Sequence, residues 1–430
     1  MKKFVAVLIA ALMLLMTCAF AEGDFNVVDP AIEGTLSFYV YYADSNVEIY
    51  DAAKAMMAEK YPNLTIEFIH RADSDGSALR TWAAVGELPD FFEVTNADAY
   101  DILLKNGDLY AVDTAMETTG FYDKFNGGEL YQQAHTEADG HQYGFGAAAG
   151  NVFTVFYNIP LFEELGLTEP TNFEEFKHCI TVLKEAGKIP VALFAAEQWP
   201  GMAFYELACV AEGAYEANDA INDGKATYEG DEAYRRAAEK FEEVASLGAF
   251  GTGALSTNAS QAIELNATGE AGFLGLGSWH WTTAEAEGYG DKLGWCHYNV
   301  FADADKAEEV KNHCVGGKIG KCAFSVNTNP PSGMDPETVA MLAAEFLYDS
   351  ELYSAQQGRM TIVKGDFDFV GHEGYADFNQ CFGDFVSFTN FPWLFSNGQL
   401  VSSLGNAVEM MVSGNFTADD FIEEMIACGF

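Results

Sequence analysis

The stretch Thr35 to Ile69, TLSFYVYYADSNVEIYDAAKAMMAEKYPNLTIEFI, decides the fold class. Thr35 to Tyr42 is dense in β-branched and aromatic residues and predicts a buried strand. Over 47–60, Ile49, Ala52, Ala53, Met56 and Met57 recur at helical spacing, and Pro62 ends that helix. Leu64 to Ile69 then reads as a second strand. A β-α-β unit of this kind implies a parallel pair with a right-handed crossover. The pattern repeats downstream as a helix near 77–86, a strand from Asp90 to Val94 and a helix from about Ala97 to Lys105. The expectation is an α/β sheet whose ligands approach the carboxyl ends of the strands.

Further along, 160–290 is more helical. Pro160 to Leu165, Asn172 to Ala186 and Asp231 to Leu247 each carry an apolar stripe. Asn172 caps the second of these, Glu174 and Glu175 sit in its first turn, and Gly187 closes it. A glycine-dense stretch, Gly272 to Gly277, leads into the aromatic cluster Ser278-Trp279-His280-Trp281. A strand is expected at Cys322 to Val326, a helix from about Asp335 to Tyr348, and a last helix near 418–427. There is no internal repeat and no long linker. So long a chain suggests two domains, and the missing linker suggests that they share more than one crossover.

The amino terminus reads as an export signal. Lys2 and Lys3 precede an apolar run from Phe4 to Met16, and Ala19-Phe20-Ala21 supplies small residues for cleavage before Glu22. The run is shorter than the ~20 residues a membrane span needs. A rival reading makes Cys18 a lipid-anchored N-terminus, although Thr17 stands where that pattern wants a small residue. The formal net charge is −43, which becomes −45 once Lys2 and Lys3 are removed. So acidic a surface repels nucleic acid and disfavours anionic ligands. Of eight cysteines, seven lie beyond the signal without regular spacing, so no disulfide framework is expected; one bridge among Cys296, Cys314 and Cys322 stays open. Cys296-His297 and His313-Cys314 match no standard zinc spacing, and Asp303 with Asp305 lack the rest of a calcium loop. No metal and no cofactor is expected.

The segment Ala147 to Glu164, AAAGNVFTVFYNIPLFEE, reads as a strand over Val152 to Tyr157, a break at Asn158 to Pro160 and a helix start. It resembles the signature of the family 1 extracellular solute-binding proteins, the maltose-binding-protein-like receptors of ABC importers. The match lies in Val155, Phe156, Tyr157, Asn158, Leu161, Phe162 and Glu164, with Thr154 a mild departure. Lys60 to Asn63, Gly86 to Phe92, Asp139 to Gly144, Gly277 to Trp279 and Ala323 to Asn327 resemble further segments of that family, in the family's order. The resemblance implies a two-lobed periplasmic-binding-protein-like fold of type II, each lobe a sheet flanked by helices. Lobe 1 would comprise 34–147 plus 320–365, and lobe 2 148–319 plus 366–430. Hinges would lie near Phe145 to Gly150, Ile319 to Ala323 and Thr361 to Phe367.

The resemblance also implies a non-catalytic, monomeric receptor. It would capture a carbohydrate, expected to be an oligosaccharide, and deliver it to a membrane ABC permease. The place of action would be the periplasm or the outer face of the cytoplasmic membrane. Sugars present hydroxyl edges and apolar C–H faces, so a site needs aromatic platforms beside hydrogen-bonding side chains. The candidates on strand-following loops are Tyr42, Asp44, Asn96, Asn151, Gln198, Trp199, Ser278, Trp279, Trp281 and Trp393. Trp279 leads them, because its position resembles the family's stacking residue. Tyr41 and Tyr42 alternate across the strand, so one of them belongs to the core. Asp44 and Asn96 read equally well as helix caps. Two alternatives stand beside this reading: a secreted carbohydrate-active enzyme, and a receptor for a peptide or a polyol phosphate.

Overall fold

The computed structural model describes residues 25–430 apart from 26, 44, 72–75, 127, 129–131, 133–134, 138, 147–151, 319–322, 360, 382–386, 391, 393–394 and 396. Its strands begin with β1 (Gly34–Val40), β2 (Leu64–His70), β3 (Phe91–Val94), β4 (Phe145–Gly146) and β5 (Phe153–Asn158). They continue with β6 (Ile189–Ala192), β7 (Ala271–Gly277), β8 (Leu293–Cys296), β9 (His313–Lys318), β10 (Ala323–Val326) and β11 (Ser387–Asn390).

The first sheet has the order β2-β1-β3-β10-β4. As the β-α-β pattern requires, β1 runs parallel to β2 and β3, while β10 returns antiparallel between β3 and β4. Leu36, Phe38 and Val40 face one apolar core and Tyr39 the other, so β1 is covered on both faces. Helices Ser45–Lys60 and Pro336–Gln356 cover the first of these faces. The second helix begins where Pro336 suggests but runs eight residues past Tyr348, because Leu352 and Ala355 extend its buried stripe. Asp90 explains the Pro-Asp entry to β3. Its carboxylate accepts the Ser37 amide at 2.8 Å, the Ser37 hydroxyl at 2.6 Å and the Ser332 amide at 2.9 Å.

The second sheet has the order β6-β7-β5-β8, with β6 parallel to β7 and β5 antiparallel to both of its neighbours. Every residue of β7 is buried. Its glycines are there because neighbours press on the backbone: a β-carbon at Gly272 would lie 2.3 Å from Leu183 Cδ1. Asn158 ends β5 and caps helix Ile159–Leu165, accepting the Leu161 amide at 2.9 Å and donating to the Asn266 carbonyl at 2.8 Å. The signature Asn158 thus locks this strand-to-helix corner.

The apolar cores follow the chain in two groups. One large core draws on 152–315 and 375–430, and two cores flanking the first sheet draw on 25–145 and 324–363. Phe367 packs beside the first-sheet core and Phe369 beside the second, so one chain crossing falls between them. The other two expected hinges centre on 147–151 and 319–322, outside the described residues. The architecture is mixed α/β with two helix-flanked sheets, as expected.

Cys296 and Cys314 are buried free thiols, and Cys322 lies outside the described residues. Among the described residues, no three or more histidine, cysteine or acidic side chains gather as metal ligands, and no helix is long and apolar enough to cross a membrane. His297 Nδ1 instead meets Glu169 at 2.9 Å, and Asp303 pairs with Lys240 at 2.9 Å.

Candidate functional site

In the second sheet, β6 and β7 run parallel, and the residues after their carboxyl ends meet. Trp279 is 42% exposed and is the one aromatic among the exposed large apolar residues of the described chain. So large an exposed apolar ring is the informative kind of exception to burial. Its ring centroid lies 6.1 Å from that of Trp199, with the planes inclined at 47°. Trp199 sets its edge against Phe194 at 5.2 Å and donates its indole N–H to Glu197 Oε2 at 3.1 Å. Gln198 donates from its amide to Asn406 Oδ1 at 3.2 Å.

Ser278 and Trp281 take structural places. Ser278 is buried. Its amide donates to the Val152 carbonyl at 2.8 Å, and its hydroxyl accepts the Val152 amide at 3.3 Å. It therefore fastens the Trp279 turn to the start of β5 rather than lining a surface. Trp281 is fully buried, stacked on Tyr375 at 5.2 Å and 6°, with Phe156 edge-on at 5.1 Å. Trp281 does not share Trp279's side, for a local reason. β7 stops at Gly277 and an α-helix begins at His280, so two residues turn the side chain by about 200° instead of returning it to one face.

In the first sheet, the two tyrosines take different surroundings. Tyr42 continues the Leu36-Phe38-Val40 face and stacks on Phe68 at 4.8 Å and 24°. Its hydroxyl donates to Asp51 at 2.8 Å, and that hydrogen bond raises the phenol above its ordinary pKa. Tyr41 lies on the other side, at the carboxyl ends of the parallel strands. Glu93 Oε2 accepts both the Tyr41 amide and Arg71 Nε at 2.9 Å, and the Arg71 guanidinium sits 5.3 Å from the Tyr41 ring centroid. This Tyr41-Arg71-Glu93 group joins the ends of β1, β2 and β3. Glu93 carried the signal that could have found it, a lone carboxylate inside the apolar strand Phe91-Phe92-Glu93-Val94. Asn96 is the cap of helix Ala97–Asn106, accepting the Ala99 amide at 2.9 Å. Asp44, Asn151 and Trp393 lie outside the described residues.

The charges near these strand ends are internally matched. Arg71 pairs with Glu93 at 2.9 Å and Arg80 with Asp98 at 3.6 Å. The chemistry on offer is one exposed indole, Trp279, beside a half-buried one, Trp199, with acidic and amide groups next to them.

Comparison with known proteins places this geometry. The family model for bacterial extracellular solute-binding proteins matches residues 43–311. Among solved structures, a chitin oligosaccharide binding protein superposes with a TM-score of 0.74 at 19% identity, covering 91% of this chain and 97% of that one. A family 1 extracellular solute-binding protein from Bifidobacterium longum subsp. infantis gives 0.68 at 18% identity, covering 92% and 99%. The solute-binding protein RafE in complex with raffinose gives 0.67 at 15% identity, covering 91% and 98%. No curated protein matches the sequence. Because the family model spans most of the chain, the protein belongs to the bacterial extracellular solute-binding proteins, non-enzymatic receptors that work with ABC permeases.

Proposed function

We propose that the protein captures a carbohydrate, an oligosaccharide by preference, in a cleft between two lobes and presents it to an ABC permease. The observation that carries this is the exposed Trp279 set against Trp199 beyond the carboxyl ends of β6 and β7. A sugar ring held between two indoles needs centroids about 7 Å or more apart, two van der Waals layers. At 6.1 Å the pair has no such gap, so the ligand lies across the two rings as a floor. The matched arginines favour a neutral ligand over a polyol phosphate. The structural likeness to a chitin oligosaccharide binding protein and to RafE in complex with raffinose supports the same class.

In this reading lobe 1 comprises 34–147 plus 320–365, and lobe 2 comprises 148–319 plus 366–430. Tyr41, Arg71 and Glu93 would meet the ligand from the opposite lobe. Closure of the lobes around a ligand shifts an open–closed equilibrium, and the closed form docks on the permease. The receptor acts as an exported monomer, cleaved before Glu22 or held by a lipid on Cys18. Tryptophan fluorescence titrated with raffinose, stachyose, xylo-oligosaccharides and chito-oligosaccharides tests the proposal. A saturable response to one of them is expected. Silence to all, with a peptide or phosphate found bound by native mass spectrometry, would overturn the carbohydrate assignment.

A further inference from the structure

Two backbone positions beside the indole pair are unusual, and they act on different rings. Gln198 has φ 56° and ψ −50°, the one positive φ outside glycine among the described residues. A residue with a β-carbon stays there only where its surroundings hold it. Gln198 closes the short 3₁₀ turn Ala195–Glu197 and opens helix Trp199–Glu212, so it sets the direction in which Trp199 leaves the backbone. The hold comes from helix Gly398–Val412. There Asn406 accepts the Gln198 amide at 3.2 Å, and a β-carbon on Gly405 would stand 3.0 Å from Gln198 Oε1. The other ring rests on Gly277. Three atoms of the Trp279 six-membered ring, Cζ3, Cη2 and Cε3, lie 1.9, 2.1 and 2.3 Å from where a Gly277 β-carbon would be. Any side chain at 277 would lift the indole off the backbone.

We infer that Gly277 and Gln198 are positioning residues that preset the angle between Trp279 and Trp199 before a ligand arrives. The inference rests on reading those indoles as the ligand platform. A preset platform spares the ligand the ordering of two large side chains. It also ties the platform to the helix 398–412, which supplies Gly405 and Asn406.

The test needs no ligand. Two indoles this close couple their electronic transitions, which gives a paired positive and negative band in far-ultraviolet circular dichroism. Trp279→Phe should remove the band pair and so identify it. Gly277→Ala should reduce it about twofold or more, by displacing an aromatic ring from its packed position. Gln198→Gly should do the same although it relieves the backbone strain, and Asn406→Ala should follow in the same direction. Gln198→Glu should retain the band pair, because Asn406 can turn its amide to donate. Thermal melts of each variant establish that it is folded. A band pair unchanged in folded Gly277→Ala and Gln198→Gly overturns the inference, as does a spectrum indifferent to Trp279→Phe. Loss of the band pair in these variants, with no carbohydrate bound by the parent, would keep the positioning roles and discard the sugar.

Discussion

Trp199 and Trp279 stand 6.1 Å apart at an inclination of 47°, joined to no common strand and brought together only by the parallel pairing of β6 and β7. Nothing in the spacing of the two residues along the chain announces the pair. If it is the ligand floor, the more exposed ring contributes more. Trp279→Ala should weaken binding of the responsive sugar about tenfold or more, and Trp199→Ala by about three- to tenfold. Isothermal titration calorimetry checks both. Affinities within error of the parent would place the ligand elsewhere.

Trp281 makes the opposite case. It is sealed between Tyr375, Phe156 and Phe378, and its indole N–H finds no acceptor among the described residues. Trp281→Ala should therefore cost about 3–5 kcal/mol in urea unfolding. Trp281→Phe should cost clearly less, since it sacrifices no hydrogen bond and leaves a smaller void. Sugar affinity per folded molecule should not move in Trp281→Phe. A specific loss of affinity there would return Trp281 to the site.

These two tryptophans show where sequence reasoning reaches and where it stops. The β-α-β periodicity of 35–69 carries the fold, because hydrophobic spacing is set by the same geometry that sets burial. Asp90 and Asn158 are visible in the sequence motifs, and their hydrogen bonds give the reason for them. Strand parity does not carry from Gly277 to Trp281, because the period changes from two to 3.6 within two residues. The same alternation, anchored on Leu36, Phe38 and Val40, puts Tyr42 beside the core. In the sequence Gln198 is a candidate because it stands beside Trp199 in a strand-following loop. Its conformation and its Asn406 partner, 208 positions away, are tertiary facts.

Glu93 is the one acceptor shared by the Tyr41 amide and Arg71, with side chains of the ion pair 14% and 18% exposed for arginine and glutamate. Glu93→Gln keeps an oxygen for the amide but withdraws the counter-ion from a largely enclosed guanidinium. The expected cost is about 1.5–3 kcal/mol, the range for hydrogen bonds to charged groups. Because the pair is shielded, added salt should change that cost little. Urea unfolding at low and high ionic strength measures both quantities. A cost that vanishes in high salt would show the pair to be solvent-screened and unable to keep Arg71 from an anionic ligand.

Glu206 lies buried in helix Trp199–Glu212 and has Asn218 as a hydrogen-bond donor at 2.6 Å, while Asn218 in turn accepts from the Tyr234 hydroxyl. No cation compensates it within this group, and burial pushes its carboxyl up to about 8 against the opposing pull of the Asn218 and Cys209 hydrogen bonds. The folded chain thus keeps this proton between its unfolded pKa, near 4.5, and about 8, whereas the unfolded chain releases it. Where the native state binds more protons, stability falls as pH rises, by about 1.4 kcal/mol per pH unit for one group. Asp349 adds to the same slope, raised to about 8 by burial and then by Glu345, against Lys60. Glu206→Gln keeps the shape and an oxygen to accept from Asn218 but has no proton to lose. Its unfolding free energy should therefore decline less than the parent's between pH 5 and pH 8, by at least about 1.4 kcal/mol. Parallel urea titrations at the two pH values decide the matter: equal declines in parent and variant would mean that Glu206 ionises in the folded protein at its ordinary pKa.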